Sequence, residues 1–111
     1  MSVQKLPIHK SAYTLLMLCL ERTGHFPAHL KSTLGERMIN ASINLLDTIA
    51  KVNREHHKSV FKLQLLDHLT LVQLLVRAAN ECKVISVPIY AEMSGLIDSI
   101  RRQADGWTRS S

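Results

Sequence analysis

The sequence predicts an all-α protein, an antiparallel up-down four-helix bundle, on three observations. Apolar residues recur at helical spacing along nearly the whole chain, and no segment sustains the alternation of a strand. The three prolines, Pro7, Pro27 and Pro88, each sit where a helical pattern begins, a position that tolerates a missing N–H. The connections are short, which requires antiparallel neighbours. A chain of 111 residues with 17 leucines and only five aromatics makes one domain, residues 1–111. The expected helices are about 8–23, 28–54, 59–83 and 87–105.

The first helix follows Pro7, from about residue 8, and ends before Gly24. The second follows Pro27 and runs to the polar break Asn53-Arg54-Glu55-His56-His57-Lys58-Ser59. Ser59 and Ser86 are the expected N-caps of the third and fourth helices. Gly24 and Gly106 stand where helix-ending glycines stand. On the fourth helix, Ile89, Met93, Leu96, Ile97, Ile100 and Ala104 share one face, an ordinary amphipathic arrangement.

Helices two and three carry more apolar surface than one bundle core needs. In the second, Leu34, Met38, Leu45, Ile49 and Val52 form one stripe, and Ile39, Ile43, Leu46 and Ala50 form another beside it. Together they span roughly 220° at 100° per residue, against the ~100° stripe of an ordinary surface helix. In the third, Phe61, Leu65, Leu69, Val72, Leu75, Val76 and Ala79 are extended by Leu63, Leu71 and Leu74. Surplus of this extent predicts self-association. Gly35, on the apolar side of helix two, predicts close approach of a neighbouring helix backbone. Gly95 projects away from the main stripe of helix four.

No residue pattern announces catalysis. There is no nucleophile elbow, Walker loop, dinucleotide fingerprint or HExxH helix, so a non-enzyme without cofactor or small-molecule substrate is expected. Cys19 and Cys82 lie on apolar faces and read as structural filler. His25/His29 and His56/His57 lack the further ligands a metal site needs. His68 falls within the apolar arc of helix three and reads as a core or interface histidine. The charge-free runs are too short for a membrane span. No basic and apolar leader opens the chain, so the expected location is cytoplasmic.

The charge is more informative. Fourteen Lys and Arg against nine Asp and Glu leave +5, with a pI near 9.6. Lys51, Arg54, Lys58 and Lys62 crowd the turn between helices two and three, and Arg101 and Arg102 lie near the C-terminus. These six are the candidate phosphate contacts. Five scattered aromatics argue against a base-stacking reader.

The stretch Phe26-Pro27-Ala28-His29-Leu30-Lys31-Ser32-Thr33-Leu34-Gly35-Glu36-Arg37 resembles the FP…TLG-x-R signature of the Avd-like four-helix-bundle proteins. These are the accessory variability determinants of diversity-generating retroelements, with relatives encoded in ribosomal-RNA intervening sequences. Leu15 to Thr23, Leu69 to Glu81 and the ending Ile100-Arg101…Gly106-Trp107 are similar to other parts of the family pattern. Ser99 or Ile100 stands where the family has a glycine before its final arginine, and Asp105 replaces a glycine before the tryptophan. The resemblance implies a homopentameric barrel that binds a reverse transcriptase and RNA or DNA, supporting mutagenic cDNA synthesis without catalytic residues. It implies structural roles for Phe26, Pro27, Thr33, Leu34, Gly35, Arg37, Gly106 and Trp107; Arg37 is equally placed to contact a partner. A pentamer would multiply the charge fivefold. The alternative is a structural or protein-interaction bundle of the intervening-sequence branch, with no nucleic-acid role.

Overall fold

The computed structural model describes the backbone of residues 6–54 and 58–106 and the side chains of 6–52 and 60–106. Among these residues there is no strand. Four long helices form: α1 (Pro7–Thr23), α2 (Glu36–Arg54), α3 (Lys58–Glu81) and α4 (Val87–Asp105). Each packs against two others, α1 on α2 and α4, α3 on α2 and α4. No helix of the described residues is long and apolar enough to cross a membrane.

One core joins all four. Ala12, Leu15 and Cys19 of α1 meet Met38, Leu45 and Ile49 of α2, Leu65, Leu69, Val72 and Val76 of α3, and Met93, Ile97 and Ile100 of α4. With Ala41 of α2, each set recurs every three or four residues, so each helix buries one stripe. Three of the side-chain contacts between helices set their register. Cys19 Sγ lies 3.5 Å from Ser42 Oγ across α1 and α2. Gln103 donates to Ser11 Oγ at 3.5 Å, joining the end of α4 to the start of α1. Lys62 Nζ lies 3.3 Å from Asp105 Oδ1, joining the start of α3 to the end of α4.

The caps depart from expectation in three places. Ser86 caps α4 as expected, its Oγ accepting from the Ile89 N–H at 3.3 Å. Ser59 instead falls inside α3, which begins at Lys58; its side chain lies outside the described residues. Gly24 and Gly106 follow their helices but keep right-handed geometry, at φ −59° and −67°. The left-handed residue is Lys83, at φ 62°. It closes α3, with the Lys83 N–H donating to Asn80 O and the Val84 N–H to Ala79 O. Glycine normally takes this position because a Cβ crowds the following carbonyl there.

The predicted helix over 28–54 is not continuous. A helical turn, Ala28–Leu30, is followed by a single π turn, Lys31–Gly35, before α2 proper. The π turn wraps one extra residue and so turns everything before it by about 100° relative to an uninterrupted helix. This lets the segment meet the end of α1. A Cβ on Gly35 would lie 3.3 Å from Thr23 Cβ, 3.4 Å from Leu30 O and 3.5 Å from the Phe26 ring. The close approach expected at Gly35 is therefore real, but its neighbours are the Thr23 and Phe26 side chains and the segment's own Leu30 carbonyl. No neighbouring helix backbone is involved. Gly95 has nothing within 4 Å of such a Cβ.

These environments give opposite signs to three substitutions in urea unfolding. Gly95→Ala should stabilise by about 0.5–1 kcal/mol through helix propensity alone. Lys83→Gly should stabilise by up to about 1 kcal/mol by relieving the left-handed conformation. Gly35→Val should destabilise by about 1–3 kcal/mol, because Thr23 and Phe26 leave no room for two added methyls.

Candidate nucleic-acid interface and apolar faces

The two basic groups read from the sequence share one end of the molecule. The Lys62–Asp105 pair brings the start of α3 beside the end of α4, where Arg101 and Arg102 lie. Lys51 belongs to the last turn of α2, which leads by chain connection to the start of α3. Arg54 and Lys58 have helical backbones, and their side chains lie outside the described residues.

Most of the described cations at this end face an acid. Lys51 Nζ is 3.3 Å from Asp47 Oδ2. Lys62 pairs with Asp105, its side chain only 21 % exposed. Arg101 sits 3.5 Å from Asp98 Oδ1 and donates to Gln73 Oε1 at 3.2 Å, tying α4 to α3. Arg102 is exposed and has no ion pair among the described residues. Such surface pairs contribute about 0–1 kcal/mol each, so a phosphate can displace the acid, though against local competition. Helical spacing hid this from the sequence only in part. Asp47 and Asp98 stand four and three residues from their partners, but Asp105 and Gln73 meet theirs only through tertiary packing.

The residues of the resemblance divide similarly. Phe26 and Gly35 are buried, and Leu34 is half-buried. Pro27 precedes the helical turn, its carbonyl accepting from the Leu30 and Lys31 N–H groups. Thr33 Oγ1 donates to His29 O at 2.8 Å within the π turn. Arg37 is exposed with no ion pair among the described residues, so no structural salt bridge holds it there. Gly106 ends α4, and Trp107 lies outside the described residues.

Cys19 is buried as expected. Ser42 Oγ donates to Met38 O at 2.8 Å and lies 3.5 Å from Cys19 Sγ, where either atom can be the donor. Burial pushes the Cys19 thiol up from its ordinary value of 9.0, and Ser42 offsets part of this. Cys82, expected on an apolar face, is instead exposed. The Cys82 N–H still donates to Ala78 O at 2.8 Å, so Cys82 keeps its place on the helical projection, about 100° from the middle of the buried stripe. His68 is half-buried, at the edge of the core stripe that its apolar neighbours suggested it would join. No group of three His, Cys, Asp or Glu among the described residues is close enough to hold a metal.

The surplus apolar stripes do emerge at the surface. On α2, Met38, Leu45, Ile49 and Val52 are buried, whereas Ile39, Leu46 and Ala50 are half-buried and Ile43 is exposed. On α1, Tyr13, Met17 and Leu20 are exposed; sequence projection of the first helix did not single them out. Their spacing of four and three residues was the available signal. Leu20 and Ile39 line one groove between α1 and α2, with Lys31 and Glu36 at its edge. On α3, Val60, Leu63 and Leu74 are exposed.

The fold and surface define a class: an all-α helical bundle with a basic end and uncovered apolar helix faces. Comparison of the chain with protein-family models, curated proteins and solved structures found no match.

Thiol chemistry tests the burial assignments. In a thiol-reactive dye assay at pH 8, Cys82 should react at once and Cys19 only on unfolding. Because the folded Cys19 thiol holds its proton more tightly than the unfolded one, its contribution to stability is full below about pH 9 and is lost as pH rises further. A Cys19→Ala variant should lack that alkaline component in urea titrations.

Proposed function

We propose that this chain is a non-enzymatic accessory subunit that self-associates. On the resemblance to the Avd-like proteins, it assembles as a pentamer that holds a reverse transcriptase and its RNA or cDNA in the cytoplasm. The observation that carries the self-associating part is apolar surface at helix-packing spacing outside the core, on α1, α2 and α3. The antiparallel up-down order of the helices belongs to the same reading. It is supported by the pairings of Cys19 with Ser42, Ser11 with Gln103 and Lys62 with Asp105.

The nucleic-acid part is supported by the gathering of Lys62, Arg101 and Arg102 at one end, to which Lys51, Arg54 and Lys58 are joined by chain connection. Positive charge of this kind grips backbone phosphates without reading bases. Repetition around an oligomer would turn a modest charge into a strong field. One observation favours the second reading, an interaction bundle with no nucleic-acid role: Lys51, Lys62 and Arg101 each lie beside an aspartate.

Filter binding to a structured RNA separates the two. The first reading expects retention at ~50 mM salt and a steep fall by ~200 mM, with Arg102→Ala lowering the logarithmic salt slope by about 0.7–0.9 for each phosphate that is no longer neutralised. Absence of retention at ~50 mM overturns the nucleic-acid role and leaves the interaction bundle.

A further inference from the structure

The two uncovered apolar regions differ in shape and lie on different faces. Between α1 and α2, Leu20 and Ile39 line a shallow trough, and exposed Tyr13 on one side and exposed Ile43 and half-buried Leu46 on the other continue its two rows at helical spacing. The Cys19–Ser42 contact sets these two rows side by side. Two parallel rows with a valley between them are a seat for one further helix.

α3 offers such a helix. Val60, Leu63, Asp67, Leu71, Leu74 and Ala78 follow one another at intervals of three or four residues. They fall within roughly 80° at 100° per residue, away from the buried stripe of Leu65, Leu69, Val72 and Val76. This is the narrow seam of a helix that packs on a second surface. α3 packs against α2 and α4, and its Val60, Leu63 and Leu74 stand out to solvent. One molecule therefore cannot lay its own seam in its own trough.

We infer that the α3 seam of one copy seats in the α1–α2 trough of the next, so that self-association is head-to-tail and each copy uses two different faces. This rests on the self-association proposed above and names the surfaces that meet. A two-fold contact would pair a face with itself, set trough against trough or ridge against ridge, and leave the other face bare. The head-to-tail contact covers both with one interface.

Area supports the pairing. The trough edge carries both signs, Lys31 and Glu36, and Asp67 is the single charged residue among those named for the seam. Tyr13, Leu20 and Ile43 are 43–51 % exposed beside half-buried Ile39 and Leu46, and Val60, Leu63 and Leu74 are 59–70 % exposed. That amounts to roughly 300–400 Å² of apolar surface on each face, the apolar share of an interface of about 1,000–1,200 Å².

Sedimentation velocity on the full chain tests this with two variants, a seam variant L63D/L74D and a trough variant L20D/I43D. All four positions are exposed, and circular dichroism confirms that each variant keeps its helices. The wild type should sediment above monomer mass at ~100 μM, and each variant alone should fall to monomer. A 1:1 mixture should give a species of dimer mass and nothing larger, because one intact seam meets one intact trough. A monomeric wild type overturns self-association itself. An oligomeric wild type with either variant still at full mass, or with no dimer in the mixture, overturns the head-to-tail assignment alone. Should an aspartate pair lose helicity, L63Q/L74Q and L20Q/I43Q repeat the measurement with neutral side chains and the same expected masses.

Discussion

Leu15, Met38, Leu45, Leu69 and Ile97 are essentially sealed from solvent in a single core, and this shared burial fixes the rotation of every helix about its own axis. A helix can turn only one stripe of about 100° toward a common centre. Once that stripe is chosen, the direction of each remaining side chain follows. The choice sends Ile43 of α2, Tyr13, Met17 and Leu20 of α1, and Leu63 and Leu74 of α3 outward together. The apolar surface is thus a consequence of core packing on helices whose sequences carry two stripes rather than one.

The same rotation places the charges. Lys62 sits at the flank of the α3 stripe and reaches Asp105 of α4. Arg101 sits at the flank of the α4 stripe and reaches Gln73 of α3. These contacts seam two helices together beside a core whose burial supplies far more stability than weak surface pairs do. Their consequence is functional, since a cation already beside an acid presents a weaker field to a polyanion. Arg102, beyond that flank, keeps its charge turned to solvent.

Regular spacing was legible because it is local. The buried face of helix four, the Ser86 cap and the doubled stripes of helices two and three follow from the 3.6-residue period and short-range hydrogen bonding. The π turn was not legible. Lys31–Gly35 reads as ordinary helix until Gly35 meets Thr23 and Phe26, residues set by the preceding helix and its turn. Cys82 misled for a different reason. It projects about 100° from the middle of the α3 stripe, on a flank of the apolar arc that the core does not cover. Among the basic candidates, the sequence marked where cations crowd, while the partners of Lys62 and Arg101 come from other helices.

By itself, then, the sequence determined the helical class, the apolar stripes of helices two, three and four and the excess of apolar surface over one core. All of these are properties of residues within a few turns of each other. Tertiary structure alone decided which of two adjacent stripes goes inward, where the outward ones fall relative to each other, and which cations face a carboxylate. Those outcomes depend on the rotation and register of four helices at once, and no single helix contains the information that sets them.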